Sequence, residues 1–516
     1  MDRRKFFAAT AAAGLAWSAR AGAGGRARVR GDAGKGGAAI DRRIYGQNFE
    51  FMGRQFEGGI MDQEGIRADV RDAIAELGVT HLRWPGGCFA DAYDWRDGVG
   101  GQRPSYKNPM WDQPVLNLGF KALGASIPPG PFHDNRFGTD EFIEYCQAVG
   151  AEPSLTASMG TQGPEPAADW VAYVREKFGP RSVPVWSVGN EQWNPLENNG
   201  CYRRPKRYVR RFAQWAEAMR AQNPEIELAA SGANELSNPG WNRTLIEGLG
   251  READYFSTHI YVPFLGLARG VPDDVKTYLG FAAANLYMEE SLDRLTETMV
   301  KILGEPVPIA FDEWNLLASA RFFLDPHLSL REAIGAACVL HSIHRRTRVV
   351  KIADMFAAVN AGSPEIITGK NGLARTPMFH ALKLYSDHTL KNAVPLSVSG
   401  PSFSTSKLGL LPARKSVPVL EASLTTDQAN AALFLVNRSP DGPLEVELEI
   451  EGIKIGDEAT VKTVTGPSFS SQNPIGGKEQ VSTISQATAW PAAISLPPHS
   501  ITLLTATRRS RAPDAP

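Results

Sequence analysis

An α/β fold, a (β/α)8 TIM barrel followed by an all-β C-terminal sandwich, is the class this sequence predicts, on three observations. From about residue 40, short runs rich in β-branched and aromatic residues alternate with helical segments, as in βα units that build a parallel sheet. Eight such runs precede residue 390. Near Lys391 the helical spacing stops, and short alternating strands separated by turn clusters such as Ser439-Pro440-Asp441-Gly442 run to residue 508.

The eight runs fall at 44–51, 81–85, 153–159, 183–188, 226–231, 255–262, 307–311 and 353–359. Their bodies are apolar, as in strands covered on both faces. Helical spacing is clearest at 205–222, where Tyr208, Phe212, Trp215 and Met219 recur on one face. Segments 69–77, 139–149 and 330–345 read as helices in the same way. Eight such units predict a barrel over 40–390. Its longest insertion runs from Asp97 to about Phe137 and carries Tyr106, Trp111 and Phe120. Long loops on this face of a barrel shape substrate clefts. In 391–508 the candidate strands are 431–436, 444–450, 458–464 and 501–505, and 509–516 read as a disordered tail.

Residues 1–25 read as a twin-arginine-type signal peptide. Arg3-Arg4-Lys5 precede Phe6-Phe7 and a short apolar run, and Ala19-Arg20-Ala21-Gly22-Ala23 offers a cleavage site. The run is too short for a permanent membrane span. An exported protein, periplasmic or secreted, with no membrane anchor after signal removal is therefore expected. The bland alternative is a disordered basic tail. Residues 26–39, rich in Gly and Arg, read as a linker or an N-terminal strand.

Composition narrows the function classes. Hydrophobic residues at 43% and charged residues at 22% of 516 suit a soluble globular protein. Lys+Arg number 55 against 56 Asp+Glu, so no electrostatic case exists for nucleic acid or an anionic membrane as partner. Cys88, Cys146, Cys201 and Cys338 form no C-x-x-C pair and read as isolated buried thiols rather than zinc ligands or a disulfide framework. No metal or cofactor is expected.

The chemistry is expected at the C-terminal strand ends. Val185-Trp186-Ser187-Val188 runs into Gly189-Asn190-Glu191, and Val307-Pro308-Ile309-Ala310-Phe311 runs into Asp312-Glu313-Trp314-Asn315. Strand one brings Asn48 and Glu50, strand two Arg83, and strand six His259 and Tyr261. Singly, each has a structural explanation: a strand His is often a satisfied core residue, Arg83 can close an ion pair, and Glu50 can lie on the surface. Gathered on one rim, where each charge needs a partner, they point to a site. Retaining cleavage of a glycosidic bond needs one carboxylic acid to protonate the leaving oxygen and a carboxylate nucleophile about 5–5.5 Å away. Arg83 and the Tyr261 hydroxyl would keep a Glu313 nucleophile ionised. Asn190 would bond a sugar 2-hydroxyl, and His259 would orient Glu191 or bind a hydroxyl.

The same residues stand in pieces that, in order, resemble glycoside hydrolase family 51, the retaining α-L-arabinofuranosidases. The pieces are Tyr45-Gly46-Gln47-Asn48-Phe49-Glu50-Phe51-Met52-Gly53-Arg54, Leu82-Arg83-Trp84-Pro85-Gly86-Gly87, Asp94-Trp95-Arg96-Asp97-Gly98-Val99-Gly100 and Phe137-Gly138-Thr139-Asp140-Glu141-Phe142. Gly189-Asn190-Glu191, His259-Ile260-Tyr261 and Asp312-Glu313-Trp314-Asn315 follow, then Phe434-Leu435-Val436-Asn437-Arg438-Ser439 and Leu496-Pro497-Pro498-His499-Ser500. Gly-Asn-Glu is shared by a clan of barrel glycosidases, whereas Phe-Gly-Thr-Asp-Glu-Phe combined with Asp-Gly-Val-Gly is far more specific. The resemblance implies Glu191 as acid/base, Glu313 as nucleophile, and Glu50, Asn190, His259 and Tyr261 as sugar contacts. It also implies that the β module packs on the barrel and borrows a strand from the residues before Ile44. Two departures stand out: Cys88 where some members place a sugar-touching Asn, and Leu316-Leu317 where many carry an aromatic. The loop between Asp97 and Phe137 is also longer than the resemblance leads one to expect. All three bear on the aglycone side and the sugar preference.

The expected protein is a metal-free, retaining, exo-acting α-L-arabinofuranosidase with an arabinose-containing oligo- or polysaccharide as substrate; an oligomer is possible. One alternative is an endo-β-glucanase or other β-glycosidase on the same barrel, which an open groove with aromatic platforms would favour. The other is a catalytically inactive carbohydrate-binding protein, against which the intact Glu pair argues.

Overall fold

Eight parallel strands close into a barrel: β1 (Gly46–Asn48), β2 (His81–Trp84), β3 (Glu152–Ala157), β4 (Val185–Val188), β5 (Glu227–Ala230), β6 (Tyr255–Pro263), β7 (Ile309–Leu317) and β8 (Val350–Met355). Each pairs with the next in chain order, and β8 returns to β1. The computed structural model describes residues 25–107, 132–266, 270–319, 326–370 and 372–508. All eight strands lie where the apolar runs are. The seventh differs: it continues through Leu317 instead of stopping at Phe311, so Glu313 stands within a strand and not beyond one. The eighth begins at Val350 and ends at Met355, short of the expected Val359.

Helices on the outside follow the strands: α1 (Ala68–Leu77), α2 (Thr139–Val149), α3 (Pro164–Phe178), α4 (Pro205–Gln222), α5 (Pro239–Leu249), α6 (Val275–Ala282), α7 (Asn285–Leu303), α8 (Leu330–Arg345) and α9 (Pro377–His388). Four of them open on Pro, whose fixed φ and missing N–H suit the first helical position. Tyr208, Phe212, Trp215 and Met219 of α4 are buried together, as their spacing requires. At β1 the chain passes so close to β8 that a Cβ on Gly46 would stand 1.8 Å from Asp354 Oδ1. Only Gly fits there. Asp354 in turn holds His81 Nδ1 at 2.7 Å.

The insertion after β2 contains a short antiparallel pair, Ser105–Lys107 with Phe132–Asp134. Trp111 and Phe120 lie outside the described residues, and so do the proposed signal and the tail from 509.

Beyond α9 the chain forms two facing sheets. One has seven strands, in the order Ala38–Ala39, Asn392–Val394, Leu420–Thr426, Asn430–Asn437, Ser500–Thr507, Glu458–Thr465, Ser482–Ala489. The other has four: Leu396–Ser399, Arg26–Asp32, Leu444–Glu451, Ala493–Leu496. Residues 26–32 are therefore a strand and not a linker, parallel to Leu444–Glu451. Along Leu444–Glu451 the apolar residues face inward and the glutamates outward. Arg28 and Arg30 pair with Glu447 and Glu449 on that outer face.

The sandwich packs on α8, whose residues Leu330 to His344 are all buried. Polar anchors cross this boundary. The fully buried Arg438 donates to Glu421 at 2.6 Å and to the Ala282 carbonyl at 3.1 Å. His344 bonds Ser423 on the sandwich and Tyr45 beneath β1, and Tyr385 stacks on Phe434 at 4.4 Å. Among the described residues no helix is long and apolar enough to cross a membrane.

Candidate active site

The strand ends converge at the mouth of the barrel. After β4 the backbone turns sharply, with Gly189 at φ +73 and Glu191 at φ +35. A non-glycine residue held at positive φ is strained, and such strain is found where a side chain must be aimed. What holds the turn is Asp91. Its carboxylate accepts from the Met159 N–H at 2.7 Å, the Asn190 N–H at 3.1 Å and the Gln192 side-chain amide at 2.6 Å. Burial nevertheless pushes Asp91 up to about 6.

On the opposite wall, β6 and β7 pair His259 with Glu313 across a local irregularity in register. A second irregularity lies between Phe311 and Trp314, where β7 meets β8. Successive strand residues normally point to opposite faces, and a bulge re-aims them. Here both Asp312 and Glu313 reach Arg83.

Arg83 is the hub. Its guanidinium donates to Glu313 Oε1 at 2.8 Å, Asn190 Oδ1 at 2.9 Å and Asn48 Oδ1 at 3.3 Å, and stands 3.4 Å from Asp312. Tyr261 donates its hydroxyl to the other Glu313 oxygen at 2.6 Å. Burial and the Glu313 charge raise the Tyr261 phenol well above its ordinary value, so it stays a donor. Glu191 has different partners: Asn194 donates to its Oε2 at 2.7 Å, and His259 Nδ1 stands 2.9 Å from its Oε1.

His259 lies between the two glutamates, with Nδ1 3.3 Å from Glu313 Oε2 and Nε2 3.3 Å from Asp312. Burial would lower the imidazole, but Glu313, Asp312 and Glu191 outweigh it and push it up to about 10. At neutral pH it is an imidazolium that donates from both nitrogens. Asp312, burial notwithstanding, is held below its usual range by Arg83 and His259.

Glu50 closes the floor. Its Oε1 accepts from the Phe89 N–H at 3.0 Å. A Cβ on Gly87 would stand 2.8 Å from Glu50 and 3.1 Å from Glu313, so the bare glycine is what lets these two carboxyls approach. Burial and the Glu313 charge push Glu50 up to about 8, which leaves it a neutral acid at pH 7.

All seven site residues read from the sequence, Glu191, Glu313, Glu50, Asn190, His259, Tyr261 and Arg83, thus meet in one buried constellation. One oxygen of Glu191, one of Glu313 and a ring nitrogen of His259 lie within 4.8 Å of one another. Four more residues belong to it that sequence reasoning missed: Asp91, Asn194, Ser257 and Glu197. Ser257 bonds Asp312 and His259. Glu197 accepts from Asn190 Nδ2 at 3.1 Å. Asp91 stands in a short 3-10 turn, Ala90–Ala92, and only the places of Asn194 and Glu197 shortly after Gly-Asn-Glu and of Ser257 before His259 hinted at the site. Cys88 is half-buried, whereas Cys146, Cys201 and Cys338 are buried; all four are free. Cys88 also lies with Glu191 and Glu197 in a second cluster of possible metal ligands, within 4.8 Å.

Two family models match the chain. Residues 73–264 match the α-L-arabinofuranosidase 1 domain, and residues 312–500 the α-L-arabinofuranosidase C-terminal domain. Among similar proteins, a probable α-L-arabinofuranosidase C of Aspergillus fumigatus is 29% identical over 507 residues, covering 90% of this chain and 94% of that protein. An intracellular exo-α-(1→5)-L-arabinofuranosidase of Streptomyces lividans is 26% identical over 491 residues, covering 86% and 69%. Among solved structures, the α-L-arabinofuranosidase of Thermotoga maritima in complex with arabinose superposes with a TM-score of 0.79 at 26% identity, covering 93% of this chain and 100% of that one.

Proposed function

Because the chain belongs to the α-L-arabinofuranosidases of glycoside hydrolase family 51, we propose that its glutamate pair releases terminal arabinofuranosyl groups by double displacement with retention. The observation that carries this reading is the closeness of the Glu191 and Glu313 carboxylates, within 4.8 Å, with unlike partners. That spacing is closer to the roughly 5–5.5 Å of a nucleophile with its acid/base than to the roughly 6.5–9.5 Å of an inverting pair.

Glu313 is the nucleophile. Arg83 and Tyr261 each donate to one of its oxygens. Glu191 is the acid that protonates the leaving oxygen, aimed by Asn194 and His259. Attack of Glu313 on the anomeric carbon gives a glycosyl ester, and Glu191 then takes a proton from the water that cleaves it. Asn190, fixed between Arg83 and Glu197, is placed to bond a sugar hydroxyl. Neutral Glu50 can donate as well as accept toward another.

Proton NMR of the first-formed sugar from an aryl α-L-arabinofuranoside tests the mechanism. The α-anomer appearing first is expected, and the β-anomer appearing first overturns it. A panel that adds β-D-xyloside, β-D-glucoside and a β-cello-oligoside separates this activity from other chemistry on the same barrel.

The destination of the protein is a separate proposal. Arg3-Arg4 before Phe6-Phe7 support export by the twin-arginine route. Replacing both arginines by lysine is expected to leave active enzyme in the cytoplasm, and unchanged export would reject the route.

A further inference from the structure

We propose that Cys88, Glu191 and Glu197 form a binding site for a thiophilic divalent cation such as Zn2+, and that occupation of this site switches the enzyme off. The inhibitory consequence rests on Glu191 being the acid/base; the binding itself does not.

The geometry comes first. The Cys88 sulfur and one carboxylate oxygen each from Glu191 and Glu197 lie within 4.8 Å of one another. Ligand atoms of a tetrahedral zinc stand about 3.5 Å apart, so small side-chain rotations complete the set. A thiolate with two carboxylates is a donor set that zinc accepts, and the sulfur selects it over the harder magnesium and calcium ions. Cys88 is half-buried and lies beside Glu191 and Glu197.

A second observation points to a ligand. Glu197 is 6% exposed; its Oε1 accepts from Asn190, its Oε2 meets no N–H or O–H donor, and the carboxylate's other side-chain contact is the Cys88 thiol, itself one of the proposed ligands. A buried carboxylate oxygen is rarely left without a donor or a cation. The nearby cations cannot serve it, because Arg83 is committed to Glu313, Asn190 and Asn48, and His259 to Glu191 and Asp312. Burial, Asp91 and Glu191 push Glu197 well above the usual carboxylate range, and burial with Glu197, Glu50 and Glu191 does the same to the Cys88 thiol. The excess of negative charge that resists a thiolate favours a divalent cation, whose binding releases the thiol proton and any proton held by Glu197. The alternative cluster, Glu191 with His259 and Glu313, offers no sulfur to a thiophilic cation.

The test uses the full chain with Zn2+ or Cd2+ alone. Both cations are expected to inhibit aryl arabinofuranoside hydrolysis, reversibly on chelation, and Cd2+ is expected to give a thiolate-to-metal absorption band for one sulfur per chain. Each variant is compared with its own cation-free rate. C88S is expected to lose the band, and C88S and E197Q each to raise the half-inhibitory concentration by about 10–100-fold or more. Absorption needs no turnover, so it reports binding even if the catalytic reading fails, and thermal unfolding shows whether each variant is folded. Inhibition of C88S at the parent's concentration would move the cation to Glu191, His259 and Glu313 and overturn the proposal. So would unchanged Cd2+ affinity in E197Q, which would reduce the site to a lone thiol, and so would a parent with neither inhibition nor band.

Discussion

The guanidinium of Arg83 donates to Glu313 Oε1 at 2.8 Å, and both side chains are almost wholly buried. The pair makes the floor of the site a single electrostatic unit, because the same guanidinium also faces Asp312. Arg83→Leu leaves two carboxylates in a dry pocket with His259 as their remaining cationic partner among the described residues. Loss of about 3–5 kcal/mol of stability is expected, read by urea unfolding, with turnover below detection. Arg83→Lys keeps the charge but not the fork. It is expected to fold and to lose most of its kcat.

The two glutamates should separate kinetically. Glu313→Ala is expected to lower kcat on every substrate by roughly four orders of magnitude or more. Glu191→Ala should spare dinitrophenyl arabinofuranoside, whose leaving group needs no proton, to within about tenfold, and lower kcat/KM on arabino-oligosaccharides by about 10²–10⁴-fold. Steady-state kinetics on both substrates check this. Equal losses would remove Glu191 from its role.

Stability should fall as pH rises through neutrality. His259 binds its proton up to about 10 when folded, against 6.5 when unfolded, so its contribution is complete below 6.5 and gone by about 10. Glu50, raised from 4.5 to about 8, acts with the same sign, full below 4.5 and lost by about 8. The stability deficit of His259→Asn should therefore shrink between about pH 6 and about pH 10. Glu50→Gln should gain on the parent over about pH 5 to 8. Urea midpoints across the range decide, and parallel curves would contradict both assignments.

The junction of barrel and sandwich is anchored by Arg438, whose charge partner Glu421 lies in the sandwich and whose other contacts, Ala282 and Asn285, lie on the barrel side. Arg438→Leu leaves Glu421 buried with Arg345 as its remaining partner. A loss of about 3–5 kcal/mol is expected. Calorimetry should show the parent's two modules melting in one transition and the variant's melting in two.

Much of this was legible in the sequence because the barrel writes itself in local patterns. Apolar strands with polar ends marked all eight strands and the seven rim residues, each of which lies in or just after a strand. What failed to show was whatever depends on distant partners. Asp91 acts on backbone 68 and 99 residues away, and its neighbourhood carries no pattern that marks it. The extension of β7 past Asp312 was hidden because a polar Asp-Glu pair reads as a strand end, and only the irregular register accommodates it. Ser482–Ala489 is exposed along its whole length, so it has no apolar face for periodicity to reveal. Arg26–Asp32 was ambiguous because its alternating arginines mean little until the glutamates of Leu444–Glu451 lie beside them.

That first strand lies between Leu396–Ser399 and Leu444–Glu451, with Arg28 gripping Glu447 from 419 residues away. A ribosome making this chain therefore releases the barrel before the edge that will hold its leading segment exists. Residues 26–32 must wait for Leu396–Ser399 and then Leu444–Glu451 to be made, and the finished fold is closed like a clasp. Processing that removes Arg26–Asp32 would open the same sheet that a premature stop near residue 444 would open, so two lesions more than 400 residues apart reach one shared place in the molecule.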